Sequence, residues 1–145
     1  MKVALQFGLE LPSFPSHVEA EKTLIAWKDE VLASFIKFVP DAVGLDYSPD
    51  SLKRVERWYF EEARTTDVSE AEIELGLGFY FGELFCRNAG FSWIVQPYFL
   101  DEGRYEIGVN RGLMSVMLTR GLKPIAIGNK RMQSLFRDFK QWSRP

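Results

Sequence analysis

The stretch that most constrains this chain runs from Ser69 to Gly90. Ser69 followed three residues later by Glu72 is a capping box, the signature of a helix start. Behind it, Gly78, Gly82, Cys86 and Gly90 recur every fourth residue, while Leu75, Phe79, Leu84 and Phe85 supply bulk around them. Side chains four apart share a helix face, so the spacing predicts a central helix with one stripe of small residues. Gly90 ends it as a C-cap. A dinucleotide loop needs its glycines in a turn directly after a strand, whereas Gly76, Gly78 and Gly82 follow a cap and several helix formers. They are expected to be contact positions. Each costs about 1 kcal/mol of helix propensity relative to Ala, which close packing must offset.

The rest of the chain falls into elements around that helix. Ser16 and Glu19 form another capping box, opening a helix expected to run to about Val39. There Val18, Leu24, Ile25, Val31, Leu32, Phe35 and Ile36 make an apolar face and Pro40 ends the run. Ala42–Tyr47 reads as a brief strand or extended link. Ser48 as N-cap with Pro49 at the first helical position starts a second helix, expected to reach about Arg64. After Gly90 the period changes. Phe91–Leu100 and Tyr105–Val109 read as a hairpin around Asp101-Glu102-Gly103-Arg104, with Leu113–Leu118 as a third strand and Leu122–Ile127 as a fourth. Met132, Leu135, Phe136, Phe139 and Trp142 then share the face of a last helix. The expectation is one α+β domain over residues 1–145: N-terminal helices, an antiparallel meander of three or four strands, and a C-terminal helix, in two layers.

Composition narrows the function classes. No run is apolar enough to span a bilayer, and Gln6 and Glu10 interrupt any secretory leader, so a cytoplasmic protein without membrane attachment is expected. One cysteine excludes an internal disulfide, and with one histidine no metal site is expected. His17 is expected exposed at a helix mouth, and Cys86 packed as a small hydrophobe.

Through Glu102, nine Lys and Arg stand against eighteen Asp and Glu, a balance of −9. From Gly103 onward nine stand against two, a balance of +7. The halves are expected to complement each other within one domain. The C-terminal cations are scattered among strands and turns, and the nearby aromatics repeat at helical spacing, so no nucleic-acid partner is expected.

No catalytic constellation and no cofactor motif emerges. The residue that invites chemistry is Glu83, a carboxylate among Phe81, Leu84 and Phe85, which must be paired, hydrogen-bonded or protonated. Arg87, one turn on, or Arg111 of the sheet is the expected partner. A ligand-binding or enzymatic reading would centre on Glu83 with Tyr80 and Arg111 nearby.

Three segments carry a resemblance: Leu45-Asp46-Tyr47-Ser48-Pro49-Asp50-Ser51-Leu52, Gly78-Phe79-Tyr80-Phe81-Gly82-Glu83, and Gly90-Phe91-Ser92-Trp93. Together they resemble a loose group of uncharacterised bacterial domains with LD-x-S-x-x-S-L, G-x-Y-x-G-E and G-x-x-W motifs. That group has no assigned reaction, and some members resemble proteins found near toxin and immunity genes. The resemblance implies a bacterial cytosolic protein and a partner-binding role. The leading expectation is therefore a non-catalytic, immunity-like protein-interaction module. The Glu83-centred ligand site or enzyme is the alternative. A homodimeric structural protein is a further one, because twelve Phe and four Trp are many for one core.

Overall fold

The computed structural model describes residues 11–63, 66, 68–120 and 134–145. Its order is α1 (His17–Phe38), a 3-10 turn (Asp41–Val43), α2 (Ser51–Glu61), α3 (Glu70–Ala89), β1 (Ser92–Pro97), β2 (Tyr105–Arg111), β3 (Met114–Met117) and α4 (Ser134–Trp142). The strands form one antiparallel sheet in the order β1-β2-β3, so the fold is α+β as the sequence predicts. The expected fourth strand, Leu122–Ile127, lies outside the described residues, as do Met132, Thr65, Asp67 and the first ten residues.

α3 is the centre. Ile73, and then Leu75 to Gly82 without interruption, are buried, so this helix is enclosed nearly all round. Ser69 Oγ accepts the Glu72 N–H at 3.2 Å, and Gly90 closes the helix in the left-handed region at φ +74°. α1 crosses it at Gly76. A Cβ there would lie 2.5–2.7 Å from Phe35 Cδ1, Cγ and Cβ. On another face, a Cβ on Gly82 would meet Leu118 Cδ1 at 2.5 Å and Trp93 Cη2 at 2.7 Å. The glycines therefore let a helix and the sheet approach the same rod.

The sheet turns Val95, Ile107, Val109, Val116 and Leu118 to the core, in a register that pairs Val95 with Ile107 and aligns Trp93, Val109 and Val116. α2 packs through Trp58, whose ring meets Phe35 at 6.3 Å and Phe38 at 6.0 Å. α4 docks through Leu135 and Phe139, with Phe139 4.9 Å from Phe85 and Trp142 6.2 Å from Phe81.

Several boundaries differ from expectation. Ala42–Tyr47 is no strand: a 3-10 turn is followed by a loop with Gly44 at φ +73° and Tyr47 at φ +62°. Consecutive turns of this kind prevent the extended repeat a strand needs. α1 ends at Phe38, and its apolar face is narrower than the spacing suggests, since Val18 is 75% exposed. β1 stops at Pro97, which has no N–H to continue the ladder. Leu113 belongs to the β2–β3 turn, not to β3. Helix 2 is capped as expected, with Ser48 Oγ accepting the Ser51 N–H at 3.2 Å. Its first turn uses i to i+3 bonds, which moves the α-helix start to Ser51.

The aromatic excess fits into one copy. Among described residues, six Phe and two Trp are buried, and Phe14, Phe38, Phe60, Phe136, Trp93 and Trp142 pack against the same core. The aromatic count thus gives no separate argument for a partner copy.

Candidate functional site

The three resemblance segments meet in space along one side of α3. Tyr80 is fully buried, and its hydroxyl lies 2.7 Å from Ser51 Oγ while accepting the Tyr47 N–H at 3.0 Å. Ser51 donates its single hydroxyl hydrogen to Ser48 O at 2.6 Å. Tyr80 is therefore the donor to Ser51. Burial raises the Tyr80 phenol above its ordinary value, in keeping with a neutral donor.

Tyr47 is the strained member. A non-glycine residue at positive φ costs on the order of 1 kcal/mol, and here several contacts hold it. Its N–H is bound by Tyr80 and its carbonyl accepts Asn88 Nδ2 at 2.9 Å. Its ring lies 5.2 Å from that of Tyr80 and 3.6 Å from the Arg87 guanidinium. Beside it, Asp46 Oδ1 accepts the Ser48 hydroxyl at 2.6 Å, the Ser48 N–H at 3.0 Å and Arg54 Nη2 at 3.2 Å. The Ser48 bonds, aided by Arg54, hold the Asp46 carboxyl below its usual value.

Glu83 continues the network. Its Oε1 accepts Trp93 Nε1–H at 2.9 Å and its Oε2 accepts Arg87 Nε–H at 3.3 Å. Lys28 Nζ sits 4.7 Å from the centre of the Trp93 ring and 2.6 Å from Asp29 Oδ1. A continuous series therefore runs from Lys28 through Trp93, Glu83, Arg87, Tyr47 and Tyr80 to Ser51. Tyr80 and Glu83 belong to it, and Arg87 is the basic partner of Glu83. Arg111 does not belong. It donates to the carbonyls of Ala89, Ser143 and Arg144 and lies 4.6 Å from the Phe91 ring, tying the C-terminal segment to the end of α3.

To act as a base, Glu83 would have to release both its indole and its guanidinium. Among the described residues every buried side-chain nitrogen or oxygen has a hydrogen-bond partner. A cavity of about 290 Å³ is lined by Tyr59, Ala63, Val68, Glu70 and Ile73, and a depression of about 240 Å³ lies beside Arg54, Arg57 and Trp58. Neither includes Glu83, Tyr80 or Arg111. Burial, reinforced by Glu83 and opposed by Lys28, pushes the Cys86 thiol up to about 11, so the half-buried sulfur stays protonated. His17 is exposed, with its ring 5.8 Å from that of Tyr105 and Nε2 3.6 Å from Glu21. The ion pairs Lys28–Asp29, Lys53–Asp50, Arg54–Asp46, Arg87–Glu83 and Arg104–Asp101 are all local in sequence. Buried Glu56 reaches across the sequence, its Oε1 accepting the backbone N–H of Leu135 at 2.8 Å.

Sequence reasoning missed an apolar surface. Phe99 is 87% exposed and Leu100 69%, both in the β1–β2 loop. Exposed Val18 lies at the same end, because Phe14 N–H donates to Gly103 O at 3.0 Å, Ser13 bridges Arg104, and His17 meets Tyr105. From Val18 a shallow groove of about 560 Å³ follows α1 past Glu21, Lys22, Ile25, Ala26 and Asp29. Pro97 was the available signal, since a strand halted there leaves Phe99 and Leu100 in the turn.

Residues 13–143 match the family described as "Uncharacterised protein YwmA", and the chain belongs to that family. No curated protein and no solved structure matches it. No helix among the described residues is long and apolar enough to cross a membrane.

Proposed function

With membership of the YwmA family as premise, we propose that this protein is a non-catalytic protein-interaction module that engages its partner through the end carrying Phe99, Leu100 and Val18. One observation carries the reading: of the four large apolar side chains that stand in water among the described residues, three lie at one end of the fold. Apolar groups displayed on adjoining segments, the hairpin loop and the helix start, gain free energy only when something covers them. The motif network supports the reading from the other side. Glu83 spends its carboxylate on Trp93 and Arg87, and Tyr80 and Ser51 spend their hydroxyls on each other and on the backbone before α2, which is the work of a brace between α3, β1 and that loop. This weighs against the ligand-binding or enzymatic alternative at Glu83. An immunity-like role in the bacterial cytoplasm is the finer form of the proposal and rests on the segment resemblance alone. Homodimerisation would use the same exposed end.

The test is affinity capture from the host with the wild-type chain, Phe99→Asp/Leu100→Asp, and Leu113→Asp. Leu113 is fully exposed at the opposite end of β2 and serves as control. The partner should be lost with the double variant and kept with the control. Equal recovery on all three would refute the reading.

A further inference from the structure

The apolar end has a charged border, and its sign specifies what covers it. Glu19, Glu21, Asp101 and Glu102 are exposed around Val18, Phe99 and Leu100, and Asp29 continues the series along the α1 groove. The cations there are Lys22, Lys28 and Arg104; Lys28 lies 2.6 Å from Asp29 and Arg104 3.5 Å from Asp101. Glu21 faces His17. Among the described residues no ion pair engages Glu19 or Glu102. A partner that buries the three apolar side chains therefore brings its own border against carboxylates, where acidic side chains are repelled, neutral ones gain nothing from the charge and cationic ones are attracted.

Resting on the interaction reading above, we propose that the partner presents a basic amphipathic segment of about three helical turns. Its apolar side chains cover Phe99, Leu100 and Val18, and its Lys or Arg residues meet Glu19 and Glu102. The length follows from the groove: eleven residues of α1 separate Val18 from Asp29, roughly 17 Å at 1.5 Å per residue. Such a segment lies against α1 as a helix lies in a groove, read through anchors one turn apart. Cationic charge also speeds the encounter, so association weakens as salt rises.

The probe is a labelled synthetic Leu/Lys amphipathic helix, titrated against the full chain. Two counterparts accompany it, one with every Lys replaced by Glu and one with every Leu replaced by Ser. Binding is read by anisotropy and its location by hydrogen exchange. The Leu/Lys peptide should bind and slow exchange in residues 17–29 and 98–104. Phe99→Ser/Leu100→Ser should weaken it by about tenfold or more, as removal of central apolar anchors does, and Glu19→Gln/Glu102→Lys should weaken it and flatten its salt dependence. Tighter binding of the Leu/Glu peptide at the same residues overturns the assigned charge while leaving the interaction reading intact. Leu/Lys binding that ignores the Phe99 and Leu100 substitutions is adhesion to an acidic chain and overturns the proposal. Binding of phosphatidylcholine vesicles through residues 98–104, with neither peptide bound, assigns the end to lipid and also overturns it.

Discussion

Replacing Gly76 with Ala sets two known effects against each other, and the structure decides the sign. In an exposed helix the change would stabilise by about 1 kcal/mol through propensity. Here the new methyl would lie 2.5, 2.6 and 2.7 Å from Phe35 Cδ1, Cγ and Cβ, whereas carbon atoms in good contact stand roughly 3.5–4.0 Å apart. Three overlaps of about 1 Å cannot be relieved by swinging a chain end, because Phe35 Cβ is fixed to the α1 backbone. Either α1 moves away from α3 or Phe35 leaves its rotamer and disturbs its contacts with Trp58 and Tyr80. Overpacking of this kind costs about 1–3 kcal/mol, occasionally more. With three overlaps on a fixed Cβ the cost lies at the upper end of that range, so after the propensity gain a net loss of about 2 kcal/mol is expected. Urea unfolding followed by far-UV circular dichroism measures it as a lower midpoint at unchanged slope. Gly82→Ala provides the internal comparison: it meets the tips of Leu118 and Trp93, which can yield, so it should cost less. A Gly76→Ala protein as stable as the wild type, or more so, would refute the close crossing of α1 and α3.

Trp93→Phe keeps a ring under Lys28 but removes the N–H that Glu83 accepts. A hydrogen bond to a charged group contributes about 1.5–3 kcal/mol. Because the Glu83 side chain is 19% exposed and keeps Arg87, a loss of about 1–2 kcal/mol in urea titration is expected. Arg111→Ala frees three carbonyls at once; hydrogen exchange at Ser143 and the last turn of α4 should accelerate well before that of α3. Cys86 tests the half-buried thiol. Held near 11 instead of an ordinary 9.0, it exposes about a hundredth of the usual thiolate at pH 8, so alkylation should be correspondingly slow and still rising above pH 10. The linkage has the matching sign: between pH 9 and 11 the folded chain keeps a proton the unfolded chain releases, so this group's contribution to stability is intact below 9 and falls across that window. An alkylation midpoint near 9 would show the thiol to be solvated.

What was legible in the sequence was local in sequence. The caps at Ser16, Ser48 and Ser69 and the stop at Gly90 each depend on atoms within a few residues, and the structure builds all of them. The Glu83–Arg87 pair, one helical turn apart, is of the same kind. What escaped were bonds that need the chain to return. Tyr80 meets Ser51 across 29 residues and Tyr47 across 33, and Asn88 reaches Tyr47 across 41. Arg111 finds carbonyls 22 to 33 residues away. A donor's type is written in the chain, but its partner is chosen by packing. Tyr47 shows the consequence: its left-handed backbone has no local cause and persists because α3 holds its N–H, its carbonyl and its ring.

The same packing argues where function can reside. A helix enclosed along most of its length offers neighbours a rigid support and offers solvent almost nothing, so a partner's surface must come from what α3 carries. The Glu83 network fixes β1 and the loop before α2 against it, and Gly76 sets α1 directly on it. The β1–β2 loop and the start of α1 are thereby held at one end, joined to each other by the Phe14–Gly103 bond and the Ser13–Arg104 bridge. Side chains displayed on such a support lose little freedom on binding. Phe99 and Leu100 are therefore costly to leave in water and inexpensive to bury against a partner.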